Sequence, residues 1–181
     1  MKLRSVVAVC GALAMASVVT GCCGKKSGSS SSSSGGSTGE LAVMSNAKVQ
    51  FNAPAGWNRL SGANGWTQFM APDKYASLAF VTFDKPGEST ARIGQMAGVL
   101  NVDNIQWGSS QGSANIGRNG FPSRYGEGTC KIAGGDPCYL WYATVNPGTS
   151  QQVLIVYAVN TKVGSHHKPN AKAAVDSLRS L

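Results

Sequence analysis

The cysteines and histidines in the C-terminal half of this 181-residue chain are its first candidates for chemistry: Cys130, Cys138, His166 and His167. The cysteines enclose Lys-Ile-Ala-Gly-Gly-Asp-Pro, whose last residues favour a turn, so they can face each other across a hairpin. Zinc sites use closer C-x₂₋₄-C pairs with further ligands, and redox dithiols use C-x-x-C. The spacing therefore predicts a disulfide outside the cytoplasm, with a zinc or redox role as the weaker alternative.

The histidine pair predicts neither a metal site nor a catalytic set. His166 and His167 are adjacent in Gly-Ser-His-His-Lys-Pro-Asn, which indicates an exposed loop followed by a turn, and the chain has no third histidine. The acidic residues show no spacing that pairs two carboxylates, and there is no G-x-S-x-G motif. We therefore predict no catalytic residue, no metal and no cofactor. A hydrolase whose site does not show in the sequence stays open as an alternative.

The N-terminus has the features of a secretory signal. Lys2 and Arg4 precede fourteen uncharged residues, 6–19, fewer than the ~20 that a membrane-spanning helix needs. The segment Val-Thr-Gly-Cys, 19–22, follows directly and resembles the lipobox of bacterial lipoproteins. That resemblance implies a signal peptide over 1–21, cleavage before Cys22, and lipid on Cys22, palmitate included, that anchors the chain to a membrane.

A Gly/Ser-rich segment separates this anchor from the rest of the chain. Residues 22–39 are predicted to form a flexible, lipid-anchored tether, and residues 40–181 a single domain. Cys23 stays open as a bystander, a bridging thiol or a second acylated residue. Because the residue after Cys22 is not Asp, the lipoprotein resemblance favours the outer membrane or cell surface, facing the periplasm or the exterior.

The charge of the chain restricts its partners. The whole sequence carries a formal charge of +8, whereas residues 40–181 have twelve basic and eight acidic residues, or +4. The basic residues are scattered, and nucleic-acid binding would require a basic stripe with interleaved aromatic residues. We therefore predict no nucleic acid, a membrane contact through the N-terminal lipid, and an envelope protein or polymer as partner. The oligomeric state is left open.

Alternating apolar residues predict a domain made mainly of strands. Before the first helix, strands are predicted at 47–52, 66–70 and 76–83, and the last is apolar on both faces, as in a central strand. Further strands are predicted within 105–117 and at 121–132, 139–145 and 151–160. Asn119-Gly120 is a strong hairpin signal between two of them.

Two apolar stripes predict the helices. Ile93, Met96, Ala97 and Leu100 share one face of a helix that begins at Ser89 or Thr90. Gly94 and Gly98 lie four residues apart there and are expected to let the helix approach the sheet. A second stripe predicts a helix within 171–181, formed by Ala171, Ala174, Val175 and Leu178. The order is β-β-β-α-β-β-β-β-α, an α+β fold with an antiparallel sheet of six to seven strands covered by two main helices.

This pattern resembles the PsbP-like domains, which include the DcrB-type envelope lipoproteins. The resemblance rests on Phe-x-Ala-Pro-x-Gly-Trp at 51–57, Trp-Thr-Gln-Phe-Met-Ala-Pro-Asp at 66–73, the strand at 76–83 and the closing Val-Asp-Ser-Leu at 175–178. It implies a PsbP-like sandwich with an accessory binding role and no catalytic residues. The chain departs from the family in its glycine-rich middle, 108–128, and in its cysteine pair.

Aromatic residues are the remaining candidates for binding. Trp57, Trp66 and Trp107, with Tyr125 and Trp141, could line a sugar- or peptide-binding face, whereas the alternative is that they fill the core. The sequence thus predicts a non-catalytic binding or scaffolding module of the cell envelope. The alternatives are an envelope hydrolase and a purely structural surface lipoprotein.

Overall fold

Ten strands and two α-helices make up the residues that this computed structural model describes, which are 39–61, 66–84, 89–132 and 135–181. The strands are β1 (Leu41–Met44), β2 (Val49–Asn52), β3 (Asn58–Ser61), β4 (Trp66–Met70), β5 (Ala76–Phe83), β6 (Val102–Ile116), β7 (Phe121–Ile132), β8 (Pro137–Val145), β9 (Gln152–Asn160) and β10 (Arg179–Ser180). The helices are α1 (Ser89–Leu100) and α2 (Gly164–Asp176). The predicted signal peptide, Cys22, and the predicted tether up to residue 38 lie outside the described residues.

Seven strands form one antiparallel sheet in the order β3-β4-β5-β9-β8-β7-β6. Three short strands form a second sheet in the order β1-β2-β10. The predicted α+β fold, with seven main strands and two helices, is therefore confirmed. The small sheet is an addition to the prediction, since β1 and β10 contain only four and two residues and carry little periodicity.

Apolar residues cover both faces of the large sheet. One cluster, the α2-side core, joins the sheet to α2 and the small sheet and includes Phe51, Leu78, Ile155 and Leu178. The other, the α1-side core, joins the opposite face to α1 and includes Ile93, Leu140, Leu154 and Val156. Alternate residues of β5, β8 and β9 enter the two clusters. This explains why β5 is apolar on both faces, as expected for a strand covered on two sides.

The two helices bury the stripes that the sequence predicts. Ile93 and Leu100 are buried in the α1-side core, with Met96 and Ala97 packed beside them. Ala171, Ala174 and Val175 are buried in the α2-side core. Neither helix in the described part of the chain is long and apolar enough to cross a bilayer.

The β6–β7 hairpin turns at residues 117–120, as the Asn-Gly signal predicts. Gly117 and Gly120 both have positive φ values, 77° and 63°. A Cβ on Gly117 would lie 2.3 Å from the carbonyl oxygen of Leu178. The Arg118 amide donates a hydrogen bond to that oxygen at 2.7 Å, so this turn is joined to the C-terminal segment.

Replacing Gly94 by alanine is expected to raise the free energy of unfolding by about 0.8–1.0 kcal/mol. Gly94 lies on the exposed side of α1, and a Cβ there meets no atom within 4 Å. The expectation that Gly94 and Gly98 let the helix approach the sheet is therefore wrong. Urea unfolding measures the gain in stability. Gly98→Ala, in the last turn of α1, should raise the free energy of unfolding by less. A stability loss for Gly94→Ala would show that the site is not open.

Candidate binding groove

A groove with a volume of about 1230 Å³ lies on the α1 side of the large sheet. Strands β6, β7 and β8 supply most of its lining, and Ser89 and Thr90 at the start of α1 form one border. Ser89 Oγ and Thr144 Oγ1 lie 2.5 Å apart, within hydrogen-bond distance, and join this border to β8. We call this cavity the polar groove.

Strand register brings the groove residues together from three separate segments. Ser113 pairs with Arg124, and Arg124 pairs with Thr144, so these three side chains share one face. Gln111, Gly126 and Tyr142 form the next row in the same way. The two rows place amide, hydroxyl and guanidinium groups side by side.

Glycine at position 126 lets the Tyr142 ring lie over the groove floor. A Cβ at this position would lie 2.6 Å from the Tyr142 hydroxyl oxygen. Trp107 packs edge-on against the same ring, with centroids 5.5 Å apart and planes at 84°. The glycine-rich middle of the chain therefore has a structural role, because it makes room for an aromatic side chain above β7.

Two register shifts in β6 lie next to this floor. The pairing with β7 shifts between Asp103 and Gln106 and again between Trp107 and Gln111. Such bulges bend a strand and are frequent next to binding sites. They explain why the sequence shows two short strand patterns within 105–117, whereas the structure has one fifteen-residue strand.

The groove chemistry is polar and mostly neutral. Its lining includes the amides of Gln111, Asn115, Asn146 and Gln152, several hydroxyls, and the guanidinium of Arg124. Burial raises the pKa of the Tyr142 hydroxyl, which therefore stays protonated at neutral pH and able to donate. No group of three or more His, Cys, Asp or Glu side chains within the described ranges is arranged to hold a metal ion.

The cysteine pair lies outside the groove. Cys130 and Cys138 are directly opposite in the β7–β8 pairing, with Cα atoms 4.9 Å apart, and the structure joins them in the predicted disulfide. Both are buried in the α1-side core. The disulfide therefore joins β7 and β8 next to the turn between them, away from Arg124 and Tyr142 on the same two strands.

The three tryptophans proposed as a ligand face lie in separate places. Trp57 packs against the α2-side core, on the face opposite the groove. Trp66 is in β4 and Trp107 in β6, with four strands of the sheet between them. Of the three, Trp107 is the one next to the groove, where it is 38% exposed.

The histidine pair is in a helix and not in the loop that the sequence suggests. Both residues belong to the first turns of α2, and His167 is largely buried, with a 12% exposed side chain. Its Nε2 lies 2.8 Å from Asp73 Oδ2, and its ring packs edge-on against Trp57 at 5.8 Å. These contacts join α2 to the β4–β5 turn, so they stabilise the fold and lie apart from the groove.

A second polar cluster lies on the α2 side of β7 and β8. The Tyr139 hydroxyl donates to Glu127 Oε2 at 2.7 Å, and burial together with this carboxylate raises the pKa of Tyr139. Burial also raises the pKa of Tyr157, whose buried hydroxyl has no hydrogen-bond partner among the described residues. This cluster lies on the sheet face opposite the polar groove, and none of its three residues lines the groove.

Replacing Asp73 by asparagine is expected to lower stability by less than about 1 kcal/mol at pH 7. Burial opposes ionisation of Asp73, but hydrogen bonds from the Tyr75 amide and His167 outweigh it, so its pKa is lowered in the folded state. The stabilisation is present above the unfolded pKa, near 3.8, and is lost as pH falls through the folded value. The carboxylate is 43% exposed, which limits the effect through solvent screening.

Urea unfolding at pH 7 and pH 2.5 tests this expectation. Wild type and Asp73→Asn should differ at pH 7 and converge at pH 2.5. Asp103→Asn, at an exposed acid with no hydrogen-bond partner among the described residues, is the control and should follow wild type. An equal gap between Asp73→Asn and wild type at both pH values would show that the charge of Asp73 does not stabilise the fold.

Comparisons with solved structures support the fold. The chain is similar to PsbP from the cyanobacterium Synechocystis, with 11% identity, a TM-score of 0.56, and coverage of 84% of this chain and 98% of that one. It is also similar to LpqN of Mycobacterium tuberculosis, described as involved in cell envelope biogenesis, with 14% identity, coverage of 77% and 83%, and a TM-score of 0.48. The first likeness shows a PsbP-like fold, and at this identity it shows the fold alone.

No family model and no curated protein sequence matches the chain. The segment 108–128, where the sequence departs from the PsbP-like pattern, supplies Gln111, Ser113 and Arg124 to the groove. That departure is the signal in the sequence that points to the site. The residues themselves were not predicted, because their proximity depends on strand register.

Proposed function

We propose that this chain is a lipid-anchored, extracytoplasmic lipoprotein whose PsbP-like domain binds an envelope component in the polar groove without catalysis. The observation that carries the proposal is the groove itself. It combines a volume of about 1230 Å³ with a lining of amides, hydroxyls, Tyr142 and Arg124. Such groups orient a ligand by hydrogen bonds, whereas hydrolysis usually requires a nucleophile or paired acid and base.

The location part of the proposal is supported by the N-terminal sequence. The signal-like segment 6–19 and the lipobox-like residues 19–22 favour lipid on Cys22. The Cys130–Cys138 disulfide fits an oxidising compartment. We further propose the outer membrane or cell surface as the site of anchoring, with the tether holding the domain away from the lipid.

The mass of the intact native protein tests the anchor. We expect a chain that begins at Cys22 and carries acyl mass, and that gains two hydrogens when the disulfide is reduced. Cys22→Ser should abolish the acyl mass and release the protein from membranes. A native protein without lipid would refute the anchor but would leave the groove proposal standing.

A plug in the groove tests the binding role. Ser113→Trp places a large side chain in the groove, and Thr129→Trp is its control on an exposed position of the opposite sheet face. Soluble fragments of digested cell envelope are passed over immobilised protein, and the retained material is measured by mass spectrometry. We expect wild type and Thr129→Trp to retain similar amounts of fragments. Ser113→Trp should retain at least tenfold less.

Two results would contradict the binding role. Equal retention by Ser113→Trp and wild type would place binding outside the groove. Progressive shortening of the fragments in the presence of wild type, and not of Ser113→Trp, would show a hydrolase.

A further inference from the structure

We propose that the polar groove selects a sugar unit carrying a carboxylate or phosphate, with Arg124 binding the anionic group and Tyr142 a sugar oxygen. This inference rests on the proposed binding function and gives the chemical class of the ligand.

Arg124 is the charged group that the groove offers to a ligand. It is exposed and lies in one row with Ser113 and Thr144, and its guanidinium forms no ion pair or hydrogen bond with any described residue. Arg124 is the one charged residue among the described residues that line the groove, so no lining carboxylate among them neutralises it. A guanidinium has five donors in a planar fork that fits carboxylate and phosphate oxygens. An anionic group on the ligand would satisfy these donors.

Tyr142 supplies a second and independent indication of a ligand. The residue is only 7% exposed, and its hydroxyl, which forms no hydrogen bond with a described residue, reaches solvent at the groove. The hydroxyl oxygen lies above Gly126 and borders the groove. This hydroxyl is therefore a donor and acceptor that a ligand oxygen can reach by replacing water.

The two groups are placed to bind one molecule. They belong to adjacent rows on one face of the sheet, about 6.6–6.8 Å apart along the strand. Gln111, Ser113 and Thr144 surround them with groups that both donate and accept hydrogen bonds. Sugar hydroxyls also donate and accept, so a sugar satisfies this lining, whereas an apolar ligand would leave it unpaired.

Trp107 favours a sugar over an acidic peptide. Trp107 lies outside the groove lining, opposite Gly128, but its partly exposed ring packs edge-on against Tyr142, so a sugar that extends past Tyr142 meets an aromatic surface for its C–H face. A peptide would require carbonyl and amide partners in extended register. The bulge at the adjacent residues of β6 interrupts that register.

Chemical-shift titration with small probes tests the inference. The full chain with Cys22→Ser, labelled with ¹⁵N, is titrated with glucuronate, glucose 6-phosphate, glucose and N-acetyl-Asp-Asp. We expect glucuronate or glucose 6-phosphate to shift the amide resonances of Ser113, Arg124 and Thr144. Glucose should bind with at least tenfold lower affinity. The comparison of glucuronate with glucose 6-phosphate distinguishes a carboxylate from a phosphate ligand.

Variants of Arg124 separate charge from fork geometry. Arg124→Gln should lower the affinity for the preferred anionic sugar about tenfold or more and leave the affinity for glucose unchanged. Arg124→Lys should recover only part of the lost affinity. Arg118→Gln is the control, because Arg118 is exposed in the β6–β7 turn outside the groove lining. Thermal unfolding confirms that each variant is folded.

Equal affinity for glucose and both anionic sugars would overturn the inference, as would an Arg124→Gln variant that binds like wild type. Tighter binding of N-acetyl-Asp-Asp than of either anionic sugar would replace the sugar with an acidic peptide. If Ser113→Trp retains fewer envelope fragments than wild type while anionic sugars fail to bind wild type, the groove binds a ligand and only the proposed ligand class is wrong. If neither experiment shows groove binding, the proposed function fails as well.

Discussion

Phe51→Ala is expected to lower the free energy of unfolding by about 3–5 kcal/mol. Phe51 is fully buried and stacks on Phe80, with ring centroids 3.8 Å apart and planes at 20°. It also meets Phe69 edge-on at 5.9 Å. Removing the ring takes away contacts between the small sheet and the large one and leaves a cavity between them.

Urea unfolding followed by tryptophan fluorescence measures this loss. Leu41→Ala is the matched control in the same small sheet, because Leu41 is 47% exposed and should change stability by less than about 0.5 kcal/mol. A loss below 1 kcal/mol for Phe51→Ala would show that the small sheet does not contribute to the core in solution.

Removing the disulfide with Cys130→Ala and Cys138→Ala together is expected to lower stability by about 2.5 kcal/mol. The bond closes a short loop, with a sequence separation of eight residues, and thereby restricts the unfolded chain. Both cysteines are buried in the α1-side core, so a small packing loss adds to the effect.

Wild type with and without reductant provides an independent comparison. Reduced wild type should lose a similar amount, and the double variant should not respond to reductant. If reductant leaves the unfolding transition of wild type unchanged, the disulfide is absent or does not stabilise the protein.

The large sheet could be predicted because its long strands have strong local patterns. β5, β8 and β9 alternate over eight or nine residues, and α1 has an apolar stripe of full helical period. The alternation at 47–52 indicated β2, whereas β1 is apolar throughout and β3 and β10 contain at most one apolar residue, so none of these three strands alternates. β1 and β10 pair with β2, and β3 pairs with β4, so their positions depend on neighbouring strands that the sequence does show.

The position of His167 could not be predicted because proline follows it closely. Pro169 suggested a turn, but α2 begins at Gly164 and continues through Pro169. Proline in a helix interior removes an i→i−4 hydrogen bond, so Pro169, the sixth residue of α2, favours a break that the structure does not have. The contacts of His167 with Asp73 and Trp57 hold this first part of α2 on the sheet, and they depend on residues about a hundred positions away.

The groove was not visible in the sequence for a related reason. Gln111, Arg124 and Tyr142 meet through the register of three strands, and a bulge in β6 alters that register. A polar residue on a strand predicts an exposed face, but it does not show which polar residues face one another. The glycine-rich departure at 108–128 marked the region without giving its chemistry.

Amide mapping on the full chain with Cys22→Ser shows whether the polar groove binds an envelope component. ¹H–¹⁵N spectra are recorded while soluble fragments of digested envelope are added. We predict shifts concentrated at Gln111, Ser113, Arg124 and Thr144, with fragments of unchanged length. Shifts centred instead on Glu127, Tyr139 and Trp141, on the opposite face, would show that the ligand binds outside the groove.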